Sequence, residues 1–108
     1  MRKILIAGTM SGSGKTTVSS ILMSAFENTA PFKVGPDYID PSYHAIFTGN
    51  KSYNLDAFMY NEETLKFIFS SNSSGKNISI IEGVMGLYDG LGHSKENFST
   101  AHVSKMLN

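Results

Sequence analysis

The chain of 108 residues has no cysteine and no tryptophan, only three prolines, and no excess of charge of either sign, with nine Lys and Arg against nine Asp and Glu. Without cysteine there are no disulfides, no thiolate metal sites and no thiol nucleophile. Without a cationic excess there is no clustered charge to draw nucleic acid or an anionic membrane surface, so neither is expected as a partner. Long hydrophobic runs are lacking too. The apolar stretch behind the N-terminal "MRK", Ile4 to Ala7, is shorter than the ~7 to 15 residues of a signal-peptide core, and nothing approaches the ~18 apolar residues of a membrane span. These absences, with a hydrophobic content of 41%, lead to the expectation of one cytoplasmic globular domain.

What is present is an alternation of strand-like and helix-like segments. "KILIAG" (3–8) is a β-branched apolar run closed by glycine, the pattern of a strand buried on both faces. Val18, Ile21, Leu22, Ala25 and Phe26 follow at i, i+3, i+4, i+7 and i+8, which predicts an apolar stripe on a helix beginning near Lys15. "PFKVG" (31–35) is a candidate second strand, and the Pro- and Tyr-rich stretch from there to about Phe58 lacks periodicity, predicting a loop with short helical turns. Asn61 stands as an N-cap ahead of Glu62, Glu63, Leu65, Phe67, Ile68 and Phe69, predicting a second helix. "SSNSSGKN" (70–77) is a turn cluster, "ISIIEG" (78–83) a third buried strand, and "NFSTAHVSKML" (97–107) the start of another helix. The fold class expected from this order is α/β, a parallel sheet with flanking helices.

The turn after the first strand, "GTMSGSGKTT" (8–17), carries the clearest chemistry. The common phosphate-cradling spacing is Gly, four residues, then Gly-Lys-Ser/Thr. Gly14, Lys15 and Thr16 supply its second half, whereas Thr9 occupies the place of the first glycine and Gly8 stands one residue too early. A glycine-rich turn leading into a helix presents backbone N–H groups and the positive end of the helix dipole to an anion, and Lys15 adds a full charge. Gly12 and Gly14 permit the tight path and the close approach of the backbone, and Thr16 is placed to offer a hydroxyl to Mg²⁺. The expected phosphate-binding set is Thr9, Gly12, Ser13, Gly14, Lys15, Thr16 and Thr17, with a polyphosphate as ligand and Mg²⁺ as its metal. A plain Gly/Ser turn with a surface lysine is the alternative that the loop alone leaves open.

Glu82 closes "ISIIEG", and ligands of open α/β sheets bind beyond the carboxyl ends of the strands. An acid there either helps to hold the Mg²⁺ that bridges phosphates or merely ends a strand in water. Asp37 and Asp40, flanked by Pro36 and Pro41 in "FKVGPDYIDPSYH" (32–44), either line a site or make a turn.

Four blocks, "AGTMSGSGKTT" (7–17), "FKVGPDYIDPSYH" (32–44), "NLD" (54–56) and "EGVMGLYDG" (82–90), with "STAHVSKML" (99–107) as a weaker fifth, run nearly end to end. Together they resemble the N-terminal synthetase domain of the cobyrinic acid a,c-diamide synthases of corrinoid biosynthesis. That domain is similar to dethiobiotin synthetase, which shares the displaced first glycine. The resemblance implies a P-loop fold and an ATP-dependent amidation, in which the γ-phosphoryl group passes to a peripheral carboxylate of a corrin or related tetrapyrrole and ammonia attacks the acyl phosphate. It also implies that Lys15 and Thr16 hold phosphate and Mg²⁺, that Asp56 and Glu82 complete the metal shell, and that Asp37, Tyr38, Asp40 and Asp89 lie toward the substrate carboxylate. Lys33 is either an electrostatic clamp or a surface lysine, and His44 and His102 are structural or capping groups.

The family continues through the rest of its sheet into a glutaminase domain whose cysteine releases ammonia from glutamine. A chain without cysteine lacks that nucleophile, so residues 1–108 are expected to be the N-terminal part of an ATP-binding synthetase domain, a fragment without the glutaminase. Self-association through a bare sheet edge and apolar helix faces, or partial disorder, is the further expectation. Two other readings remain at this point: a nucleotide-binding fragment without turnover, and a partition-type ATPase switch, although that class carries an extra lysine where Met10 stands.

Overall fold

The computed structural model describes residues 2–8, 14–35, 39–56, 60–86 and 100–107. Along them run β1 (Arg2–Gly8), α1 (Lys15–Ala25), β2 (Thr29–Val34), α2 (Asp40–Thr48), β3 (Tyr53–Leu55), α3 (Glu62–Ser73), β4 (Ile78–Gly86) and α4 (Thr100–Leu107). The strands form one sheet in the order β1-β4-β2-β3, every pair parallel. The α/β layering expected from the alternation is therefore present.

Strand alternation sends neighbouring side chains to opposite faces of the sheet, and here it divides the core in two. Ala30, Phe32 and Val34 of β2, Leu55 of β3 and Ile81 of β4 pack with Leu65 and Phe69 of α3 and Val103 of α4. On the other face Ile78 and Ile80 of β4 pack with Met23 of α1, with Ile4, Ile6, Leu22 and Phe26 around them. Burying each large aliphatic or aromatic side chain contributes about 1.5–3 kcal/mol, so the first of these clusters is the main hydrophobic anchor of the fold.

Several local expectations need correction. The polar stretch before Phe58 holds a nine-residue helix, α2, and a short strand, β3, so the sheet has four strands where three were expected. The helix is invisible to periodicity because its one buried residue is His44, while Tyr43, Ile46 and Phe47 are exposed. β3 exists through tertiary pairing alone: Phe32, Lys33 and Val34 of β2 face Tyr53, Asn54 and Leu55. α1 also turns differently from the expected stripe. Ser19 and Met23 are buried, Leu22 and Phe26 half-buried, and Val18, Ile21 and Ala25 exposed. In α3 the N-cap holds, with the Asn61 carboxamide oxygen accepting from the Thr64 amide at 2.8 Å, but Phe67 is exposed and the helix runs on through the first residues of the expected turn. Ser73 and Asn72 fit there because their side chains donate back to the carbonyls of Phe69 and Ile68.

Candidate functional site

β1 leads to the glycine loop and α1 leaves it. Gly14 precedes the first helical residue with φ of 90°, a left-handed backbone that glycine adopts without Cβ strain. A Cβ there would meet nothing within 4 Å, so it is the dihedral angle and not space that calls for glycine. The Val18 amide donates to the Gly14 carbonyl at 3.1 Å and starts the helix ladder. Thr17 is exposed on the first turn of α1. Thr9, Gly12 and Ser13 lie outside the described residues, as do Asp37, Tyr38 and Asp89, and the side chains of Lys15 and Thr16 are likewise outside the description.

The α1/α2 face of the sheet changes character along the strands. Ile4 and Pro31 flank Ile80 in one row, whereas the next row reads Ile6, Glu82, Lys33 and Asn54 across the four strands. An aliphatic row gives way to a charged one as the strands approach their carboxyl ends. Glu82 does not end its strand: β4 continues to Gly86, and the carboxylate is only 1% exposed. The reading of Glu82 as an acid dangling in water is thereby overturned.

Lys33, 4% exposed, is equally buried. Its ammonium donates to Asp40 Oδ2 at 2.7 Å, to Glu82 Oε2 at 2.9 Å and to the Gly83 carbonyl at 3.1 Å. Asp40 reaches it because it opens α2 in place of sitting in a loop, with Pro41 in the first turn. One turn later the same helix presents His44, whose Nε2 lies 3.0 Å from Glu82 Oε1 and whose Nδ1 lies 2.8 Å from Ser52 Oγ. Ser52, His44, Glu82 and Lys33 thus form one continuous buried chain of polar contacts that ends on the half-buried Asp40. The sequence pointed to Glu82 and Asp40, left Lys33 open, treated His44 as structural and missed Ser52. Two signals were available: Asp40 and His44 stand four apart on one helix face, and Ile78, Ile80 and Glu82 share the parity of one buried strand face.

The charge states follow from these contacts. Burial by itself would raise the Glu82 carboxyl, but hydrogen bonds from His44, Lys33 and Asp40 and the Lys33 charge hold it down at about 2. Burial pulls Lys33 down, and its bonds to Asp40 and Glu82 outweigh that, keeping the ammonium above its ordinary 10.5. Asp40 is pushed above the ordinary 3.8 by burial and by its proximity to Glu82, against the pull of Lys33. One cation serves two carboxylates, and the acid with the additional histidine partner is the one held low.

Asp56, just after β3, is buried, and its carbonyl accepts from the Tyr60 amide at 3.0 Å. Among the described residues no group of three acids or histidines forms a metal site by itself. Magnesium characteristically takes one or two carboxylates and completes its shell with phosphate and water. The observation that bears on such a cation here is the Lys33 ammonium, held by three oxygens on Asp40, Glu82 and Gly83. That cluster is already filled by an ammonium, and of its members only Glu82, an anionic oxygen donor of the kind a hard cation takes, belongs to the set expected from the sequence. No helix among the described residues is long and apolar enough to cross a membrane.

Comparison with known proteins gives the chain's relatives. Residues 4–103 match the family model described as the CobQ/CobB/MinD/ParA nucleotide binding domain. The chain is 57% identical over 107 residues to cobyrinate a,c-diamide synthase of Fusobacterium nucleatum, covering 99% of this chain and 24% of that protein. It is 51% identical over 110 residues to cobyrinate a,c-diamide synthase of Methanocaldococcus jannaschii, covering 99% and 25%. The enzyme of that name from Caldanaerobacter subterraneus is 53% identical over 110 residues, with 99% and 24% covered. The chain thus spans about a quarter of the length of the curated relatives it matches. No solved structure matches it. With a parallel α/β sheet, a Gly-Lys-Thr turn into the first helix and a family match over nearly its whole length, the chain belongs to the CobQ/CobB/MinD/ParA nucleotide-binding domain family, of the P-loop NTPase type.

Proposed function

We propose that this chain is the ATP-binding part of a cobyrinate a,c-diamide synthase, which amidates the a and c carboxylates of cobyrinic acid or a related tetrapyrrole through an acyl phosphate. The observation that carries the proposal is the 57% identity to an enzyme of that name across 99% of this chain. The ion-paired Asp40–Lys33–Glu82 set, with Lys33 and Glu82 buried, is consistent with it.

The chemistry asks for such a site. A carboxylate is a poor acylating agent because its oxygen leaves badly. When a substrate carboxylate oxygen attacks the γ-phosphorus of ATP, the bond to ADP breaks and an acyl phosphate forms. Ammonia then adds to the acyl carbon, inorganic phosphate leaves with the bonding electrons, and the nitrogen loses a proton. Phosphoryl transfer depends on positioning and charge neutralisation. In this proposal Thr9, Gly12, Ser13, Gly14 and Thr17 shape the phosphate turn and Lys15 neutralises transferred charge. Thr16, Asp56 and Glu82 would hold Mg²⁺, which when bound supplies charge stabilisation on the phosphoryl oxygens. Lys33 and Asp40 set the electrostatics of the β2 end, and Asp37, Tyr38 and Asp89 serve the substrate side. The nitrogen comes from glutamine through a glutaminase in the remainder of the protein, in the cytoplasm. The 108-residue chain alone binds nucleotide without turnover, and associates with itself through the exposed Ile21, Ile46 and Phe47.

The test is the full-length protein with ATP, cobyrinic acid and either glutamine or an ammonium salt. One ADP and one phosphate should appear per amide, and hydroxylamine in place of ammonia should trap the acyl phosphate as a hydroxamate. Lys15→Ala should abolish both nucleotide binding and product. ATP hydrolysis that proceeds at full rate without tetrapyrrole, with no amide formed, would overturn the proposal in favour of an ATPase switch.

A further inference from the structure

We propose that His44 is a positioning residue, whose Nε2–H fixes the orientation of the Glu82 carboxylate and whose own ring is fixed by Ser52. The inference rests on the reading given above, in which Glu82 acts at the phosphate site. A glutamate has several rotatable bonds, and at 1% exposure no bulk water stands ready to satisfy it. Its direction is therefore decided by the donors that meet it. Lys33 takes Oε2 at 2.9 Å and His44 takes Oε1 at 3.0 Å, so the two oxygens are met from different sides of the chain. An ionised carboxylate only accepts hydrogen bonds, so the His44 nitrogen facing it carries the proton. The other ring nitrogen meets the Ser52 hydroxyl at 2.8 Å, which prevents the imidazole from swinging about its χ2 bond.

The placement of His44 in α2 is as telling as its contacts. It is the single buried residue of that helix, at a position where a leucine would serve packing better. Burying an imidazole is favourable only when both nitrogens are satisfied. Asp40 stands one turn earlier on the same helix and holds Lys33. α2 thus grips both partners of the Lys33–Glu82 pair, one by Asp40 and the other by His44. A group that donates to a functional carboxylate from behind restricts it to one orientation, and loss of such support in enzymes typically lowers activity or ligand affinity by roughly 10- to 100-fold.

Side-chain reach supplies the test in the full-length protein. A glutamine amide nitrogen extends to about the place of Nε2 and an asparagine amide only to that of Nδ1. His44→Gln should therefore stay close to the wild-type rate, while His44→Asn and His44→Leu should lose roughly 10- to 100-fold in kcat with the KM for ATP little changed. Circular dichroism and thermal melting establish that each variant is folded before rates are compared. Long-range ¹H–¹⁵N NMR of ring-labelled histidine in the same protein, assigned by difference against His44→Gln, should show a proton on Nε2 of His44. Equal rates for the Gln, Asn and Leu variants per folded molecule, or a His44 ring with bare Nε2, would overturn the proposal. A wild-type protein that forms no amide would fail the functional reading, and the NMR arm would still decide whether His44 donates to Glu82.

Discussion

The two faces of the sheet are built on opposite plans. Toward α3 and α4 the interior is apolar, with Phe32 and Phe69 ring centroids 5.0 Å apart and Leu55, Leu65, Ile81 and Val103 around them. The outside of α3 carries Glu62, Glu63 and Lys66, with Phe67 as its one large exposed apolar residue. Toward α1 and α2 the interior is mixed, with Met23, Ile78 and Ile80 giving way to Lys33, His44 and Glu82, whereas the outside shows Val18, Ile21, Tyr43, Ile46 and Phe47. The exterior is inverted there, with apolar side chains facing water. A buried charge network contributes little net stability against an apolar alternative of equal volume, so the first face holds the domain together while the second spends stability on an organised set of charges. The difference explains why the buried lysine and its acidic partners are gathered on one side of the sheet.

Breaking the apolar face should cost the most stability. Phe32→Ala removes a fully buried ring from the α3/α4 side, and a loss of about 3–5 kcal/mol in denaturant unfolding is expected, enough to unfold much of a small domain. A loss below about 1 kcal/mol, at the low end for core truncation, would mean that the two faces do not differ as described.

Next in size is Asp40→Asn on the polar face, measured in the full-length protein. ATP affinity should stay nearly intact while amidation falls about 100-fold or more, on the order of 3 kcal/mol in the barrier. If instead only the melting temperature drops and turnover per folded molecule is unchanged, Asp40 is a helix-opening residue that braces Lys33 and nothing more.

The polar face should also make the domain sensitive to acid. The Glu82 carboxyl is held at about 2 against an ordinary 4.5, so its contribution is fully present above about pH 4.5 and is lost as pH falls toward 2. Asp40, displaced upward, works in the opposite sense and softens that slope. Lys33, held above 10.5, withdraws its contribution only at strongly alkaline pH. Thermal melting between pH 7 and pH 3 should show Glu82→Gln less stable at neutrality and flatter with pH than the wild type. Parallel curves for the two proteins would place the acid sensitivity elsewhere.

The smallest effect on stability belongs to the inverted exterior. Ile46→Lys, at a position 74% exposed, should change unfolding by less than about 0.5 kcal/mol yet lower the self-association of the 108-residue chain in light scattering. An unchanged scattering profile would separate the exposed apolar residues of α1 and α2 from any role in association.

The phosphate turn, the α/β alternation and the Asn61 cap were legible because each is local: a strand, a turn and a helix follow one another within a short stretch, and local backbone preference writes them directly. α2 and β3 were not, since the helix buries a histidine in place of an aliphatic stripe and the strand is three residues long and held by its pairing with β2. By itself the sequence determined that a glycine-rich loop enters a helix at Lys15, that apolar strands alternate with helices, and that acids stand at Asp40 and Glu82. Only the tertiary structure decided that these acids share one buried lysine and that a histidine and a serine stand behind one of them. Those partners lie 49, 38 and 8 residues apart along the chain, and a hydrogen bond at that separation is set by strand order and helix packing, which no local preference encodes.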